Sequence, residues 1–152
     1  MLKVIKAPKF KIESTMAALQ IVEKDDWLFS FDLKSAYLQV PIYENFTKWF
    51  GFGIEEEDGT KRFFYYKNMP FGLNDVCCVL TKLLRSPLER WRRQGINLYL
   101  HVDDGLGIVR GREAAVRASE SVRKDLKKYG LLMSEDKSEW GAHREIVWTG
   151  FV

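Results

Sequence analysis

The apolar positions of this chain change period several times, and each change predicts an element. Ser14 is placed to cap a short helix running to about Val22, with Met16, Leu19 and Val22 on one face. Lys24-Asp25-Asp26 breaks that pattern, and the nearly unbroken run Trp27-Leu28-Phe29-Ser30-Phe31-Asp32 predicts a largely buried strand. Phe46 to Ile54 and Arg62 to Tyr66 are aromatic-rich strand candidates, joined through Asp58-Gly59 as a hairpin. Asn74 or Asp75 can cap a helix presenting Val76, Val79, Leu80, Leu83 and Leu84. Pro87 is costly inside a helix, so Ser86-Pro87 predicts a fresh cap and first-turn proline, opening a second short helix that stops at Gly95. Ile96 to Val102 and Leu106 to Val109 read as strands around a tight turn at Asp103-Asp104-Gly105. Residues 113–129 alternate with helical period, placing Ala115, Val116, Ser119, Val122, Leu126 and Tyr129 on one side and Gly130 at the stop. Glu145 to Val152 is strand-like. Helix, strand, hairpin, helix, hairpin, helix and strands in that order predict an α+β fold, with helices on one face of a mostly antiparallel sheet.

Composition bounds the problem without solving it. The 152 residues are about one domain's worth, and no linker, repeat or low-complexity stretch divides them. Hydrophobic residues at 46% and charged residues at 30% exclude a disordered chain. The only two cysteines, Cys77 and Cys78, are adjacent, which excludes a disulfide framework and points to small core residues in a reduced, intracellular compartment. No apolar run approaches the roughly 18 residues of a membrane span, and none reads as a signal peptide. The net charge of +3 is modest, but bases cluster at Lys3, Lys6, Lys9 and Lys11 and again at Lys82, Arg85, Arg90, Arg92 and Arg93. Such stretches serve either as solvated faces or as a phosphate-facing surface.

The chemistry lies in the carboxylates. Asp32 ends one predicted strand, and Asp103 and Asp104 sit at the tip of another. Strand alternation puts Tyr99, His101 and Asp103 on one side and Leu98, Leu100, Val102 and Asp104 on the other. With neighbouring strands about 4.8 Å apart, the carboxylates would gather, and their repulsion would raise a carboxyl pKa. A hard divalent cation relieves such a cluster, and two of them support in-line phosphoryl displacement. Taken alone, Asp-Asp-Gly is simply a turn sequence.

Four segments in order change that weighting. Phe31-Asp32-Leu33-Lys34-Ser35-Ala36-Tyr37, Met69-Pro70-Phe71-Gly72-Leu73, His101-Val102-Asp103-Asp104, and Gly130 with Lys137 followed by Trp148-Thr149-Gly150-Phe151 resemble the palm motifs of retroelement reverse transcriptases, of the DIRS-like or Ty3-like groups. The resemblance covers essentially the whole chain. It implies a polymerase palm with a ferredoxin-like antiparallel sheet and a remnant fingers hairpin in residues 1–152, with thumb and RNase H absent. The implied activity is RNA-directed DNA polymerisation, joining dNTPs to a primer 3′-hydroxyl with Mg²⁺, or Mn²⁺ in its place. Asp32, Asp103 and Asp104 would be the catalytic metal-binding carboxylates, with the Leu33 carbonyl completing a metal shell. Lys34, Ser35, Ala36, Tyr37, Phe71, Gly72 and Lys137 would face the nucleotide, with Tyr37 excluding a 2′-hydroxyl. His101, Trp148, Thr149 and Gly150 would face the primer or template. The implied partners are primer–template nucleic acid, dNTPs, and the thumb and RNase H regions of a larger polyprotein; no membrane is involved.

The chain departs from the family pattern at His101, where Tyr is common, at Asn74-Asp75-Val76, where many relatives have an Ala-Pro pair, and at Thr149, where Leu is usual. His101 and Thr149, with the nearly absent fingers and absent thumb, support the alternative of a catalytically silent palm fragment or domesticated remnant that at most binds nucleic acid. A ferredoxin-like RNA-binding module is a third reading, but no RNP-like aromatic signature supports it.

Overall fold

The computed structural model describes residues 10, 12–73 and 75–151. Its elements are α1 (Thr15–Leu19), β1 (Asp26–Asp32), a 3₁₀ turn (Ala36–Gln39), α2 (Glu44–Thr47), β2 (Gly51–Glu55), β3 (Lys61–Tyr65), α3 (Val76–Arg93), β4 (Asn97–His101), β5 (Asp104–Arg110), α4 (Arg112–Lys128) and β6 (Glu139–His143). Four strands form one antiparallel sheet in the order β4-β5-β1-β6, and β2 and β3 form a separate hairpin. The result is the α+β arrangement that the pattern predicts, and it is palm-like, as the resemblance implies.

Strand alternation divides the apolar residues between two faces. Phe29 and Phe31 of β1 and Leu98 and Leu100 of β4 pack with Leu80, Leu84, Leu88 and Trp91 of α3 and with Ala118, Val122 and Leu126 of α4. Leu28, Leu106 and Ile108 form a smaller cluster on the other face with Ala18, Ile146 and Trp148. On the helix face, β5 offers Gly105 opposite Phe31 and Gly107 opposite Phe29. A Cβ at either glycine would stand well under 3.0 Å from the facing ring carbons. The rings therefore lie across β5, and Trp140 of β6 stacks beside them at 5.8 Å and 3° from Phe31.

Several elements differ from their sequence-based prediction. Val76–Arg93 is one continuous helix with Pro87 inside it, not two. An interior proline costs about 3 kcal/mol. The buried stripe Leu80, Leu84, Leu88, Trp91 continues across it, and each large apolar side chain buried returns roughly 1.5–3 kcal/mol. The Trp91 indole also donates to Asp125 of α4 at 3.0 Å, tying the two helices together. The first helix is shorter than expected, and its buried residue is Ala18, while Met16 and Val22 are exposed. Phe46 begins no strand: α2 and a 3₁₀ turn (Lys48–Phe50) occupy the start of that stretch. Asp75 precedes α3 without a side-chain capping bond, and Asn74 lies outside the described residues. Tyr129 falls on the exposed side of α4, and Gly130 follows with φ +75° as the helix stop. The last sheet strand is Glu139–His143, because Trp140 has the Phe29 and Phe31 rings to cover; 145–151 holds only a Trp148–Phe151 bridge.

At one edge of the sheet, β4, side chains take up outward-facing backbone groups. Arg92 donates to the Leu98 carbonyl through Nε and Nη2, at 3.0 and 2.7 Å. Glu13 accepts from the Leu100 N–H at 3.1 Å and from Arg92 at 2.6 Å. Among the described residues, no helix is long and apolar enough to cross a membrane.

Replacing Gly105 or Gly107 by Ala is expected to lower stability by about 1–3 kcal/mol, the usual cost of overpacking. The test is the urea midpoint. An unchanged midpoint would show that the phenyl rings can move aside.

Candidate active site

The register of the sheet assembles the carboxylates. Asp32, the last residue of β1, pairs with Asp104, the first of β5, and Asp104 pairs in turn with His101, the last of β4. His101, Asp104 and Asp32 thus stand side by side across three strands. The turn lies at Val102-Asp103, one residue earlier than the Asp103-Asp104-Gly105 turn expected from the sequence. Asp104 consequently shares a face with His101 rather than with Leu98 and Leu100. The earlier turn is enforced by Gly105 and Gly107, which must sit under the two phenyl rings. Val102 takes up φ +62°, a left-handed conformation that strains a β-branched residue. The Asp103 carbonyl accepts the Leu33 N–H at 3.0 Å, which fixes the turn against the end of β1.

Half-burial is the main force on the charges. It pushes the Asp103 carboxyl above its ordinary range, with Asp32 adding repulsion and His101 and Lys137 partly offsetting it. Burial raises Asp104 to about 6, reinforced by repulsion from Asp103 and Asp32 and by a hydrogen bond that protonated Asp104 makes to Asp32. The ion pairs of the described residues all lie elsewhere. Nor do three His, Cys, Asp or Glu side chains among the described residues already form a metal cage. What the site offers is hard oxygen donors with unbalanced negative charge, a donor set that fits Mg²⁺.

The segment after α4 is hooked onto Asp32. Its carbonyl accepts the Ser134 N–H at 2.9 Å, and its N–H donates to Ser138 Oγ at 3.2 Å. Ser138 Oγ donates in turn to the Ser134 carbonyl at 2.7 Å. This turn carries Lys137, an exposed side chain whose charge reaches Asp103. Nearby, the Lys34 N–H donates to Leu132, and the Gln39 amide bonds both the carbonyl and the N–H of Leu132. Gln39, Ser134 and Ser138 went unnoticed in the sequence, where no motif or period marks them.

The turn after Asp32 leaves Lys34 and Ser35 exposed, with Ser35 at φ +48°, and buries Ala36. Tyr37 follows, half-buried, close enough to Asp103 to feel its charge. Exposed Phe71 meets the Tyr37 ring edge-on at 5.3 Å, and Gly72 takes φ +88° beside it. Trp148 is buried in the second cluster, on the sheet face that carries Asp32 and Asp104. Thr149 (φ +47°) and Gly150 (φ +85°) form a tight turn closed by two Trp148–Phe151 backbone bonds. The structure therefore gathers Asp32, Asp103, Asp104, His101, Tyr37 and Phe71, brings Lys137 into electrostatic reach, and makes the Trp148 ring core.

The α+β sheet with acidic residues at its adjacent strand ends is a palm-like fold. Residues 1–152 match the family model described as reverse transcriptase (RNA-dependent DNA polymerase), and the chain belongs to that family. A solved structure of the foamy viral protease-reverse transcriptase dRH in complex with ds DNA superposes with a TM-score of 0.82 at 17% identity, over 98% of this chain and 25% of that one. The chain thus spans a quarter of that protein's chain. A comparison with curated proteins finds no match.

Ser138→Ala would strip the Asp32 N–H of its partner in a partly buried place. The expected loss is about 1–3 kcal/mol of stability, read from urea unfolding. A loss near zero would mean that the hook does not hold the end of β1.

Proposed function

We propose that the chain is the palm, with part of the fingers, of an RNA-directed DNA polymerase that extends a primer 3′-hydroxyl with dNTPs. The observation that carries this reading is the gathering of Asp32, Asp103 and Asp104 around adjacent strand ends, with none of the three in an ion pair among the described residues. Family membership supports the reaction class. The double-stranded DNA held by the foamy viral neighbour supports a primer–template duplex as the partner.

In this reading Asp32, Asp103 and Asp104, with the Leu33 carbonyl, would hold Mg²⁺ or Mn²⁺. Bound there, the cation would neutralise phosphate charge and activate the primer hydroxyl. The chain's own groups do the rest. The exposed turn Lys34-Ser35 and the start of the 3₁₀ turn at Ala36 present backbone N–H groups along the triphosphate, as turns and helix starts do for anions. Phe71 and Gly72 form the floor beneath the nucleotide base. Tyr37 stands where a ribose 2′-hydroxyl would collide with its ring. Lys137 offsets negative charge beside Asp103 and would deliver a proton to the leaving phosphate. His101 and the Trp148-Thr149-Gly150 turn border the primer terminus on the same sheet face. Thumb and RNase H regions of a longer polyprotein would supply further grip on the duplex. The three carboxylates, kept together despite their repulsion, weigh against a silent remnant.

Asp103→Asn is expected to abolish primer extension in Mg²⁺ while leaving the circular-dichroism spectrum unchanged. Full extension by this variant would remove the catalytic assignment. Adding Mg²⁺ should raise the thermal midpoint of the wild-type chain and leave that of Asp103→Asn nearly unmoved. Tyr37→Ala should admit ribonucleotides, and unaltered selectivity would sink the gate.

A further inference from the structure

Tyr37 is held at its far end as well as along its side. Its phenol oxygen lies 3.1 Å from Cys77 Sγ, with either group able to donate. Cys77 is the second residue of α3, and its own carbonyl accepts the Thr81 hydroxyl at 2.8 Å. The next residue, Cys78, is buried in the core, which anchors this first turn of α3. Cys77 itself is only partly buried, so packing alone does not account for it. With Phe71 edge-on at 5.3 Å and 79°, the Tyr37 ring is fixed by a contact on its flank and a hydrogen bond at its tip.

A ring discriminates by overlap only while it stays in place. A side chain free to change rotamer yields to the extra hydroxyl at a cost comparable to one hydrogen bond. Resting on the gate reading of Tyr37, we propose that Cys77 is a positioning residue for sugar selection: its thiol pins the phenol so that the ring blocks a 2′-hydroxyl. The selectivity-bearing pair then spans two segments, the turn after Asp32 and the start of α3. The thiol acts through Tyr37 and touches no substrate.

The test uses the full chain with Mg²⁺ and a primer–template whose 3′-end is blocked. The quantity read is the ratio of Kd for a ribonucleoside triphosphate to Kd for its deoxy counterpart. Cys77→Ala should lower this ratio about fivefold, or about 1 kcal/mol at 1.4 kcal/mol per factor of ten. Cys77→Ser, which restores a hydrogen-bonding group, should recover most of it. Tyr37→Phe should lower it like Cys77→Ala, and the double variant should lose no more than either alone. Additive losses, or a Cys77→Ala ratio equal to wild type, overturn the inference. If Tyr37→Ala lowers the ratio but Cys77→Ala does not, the gate stands and the inference falls. If Tyr37→Ala leaves the ratio intact, or the wild-type chain binds neither nucleotide, the gate reading fails first and takes the inference with it. A urea double-mutant cycle between Tyr37→Phe and Cys77→Ala gives an independent check. Its coupling should be about fivefold in the unfolding equilibrium, and no coupling means no pinning bond.

Discussion

Two phenyl rings lying over two glycines set the rest of this structure. Phe29 and Phe31 can cross β5 only because Gly105 and Gly107 have no side chains there. That fit fixes the β1–β5 register, and the register puts Asp32 opposite Asp104. A slip of one residue would carry Asp32 to the helix face and leave both rings without a seat. Trp140 seals the same rings from the far strand, and the Arg123 guanidinium lies 5.6 Å from the Trp140 ring centre. The position of the acidic cluster is therefore a product of apolar packing on the opposite side of the sheet.

That arrangement keeps together groups that would otherwise separate. Three carboxylates share a half-buried corner, and Val102 holds a backbone conformation that suits glycine better. Each is unfavourable on its own. They persist because both strands are anchored in the core and because Leu33, Ser134 and Ser138 bond the surrounding backbone. The stable half of the molecule thus sustains a strained, charged corner of the kind expected where chemistry is done.

Much of this was legible in the chain. The buried run Trp27 to Asp32, the helix over 112–128 with its stop at Gly130, and the carboxylate pair on a hairpin all follow from local pattern. Where local pattern and packing conflict, packing decides. Pro87 announces a helix start, yet the Leu80–Trp91 stripe carries the helix through it. Asp103-Asp104-Gly105 announces a turn, yet Gly105 is claimed by Phe31 and the turn moves one residue back. The residues that hold the site, Gln39, Ser134, Ser138 and Cys77, work through contacts up to 106 positions away in the chain, and no local periodicity encodes those.

The side chains that take up backbone groups along the outer edge of β4 have a wider consequence. A bare edge next to the acidic hairpin would be a template for any extended peptide, including a copy of the same strand. Arg92 occupies the Leu98 acceptor and Glu13 the Leu100 donor, and both bring charge to a place where an incoming strand would have to bury it. Accretion of foreign strands, the usual route from an open sheet to amyloid, is thereby disfavoured along the strand that leads into the hairpin carrying two of the three carboxylates.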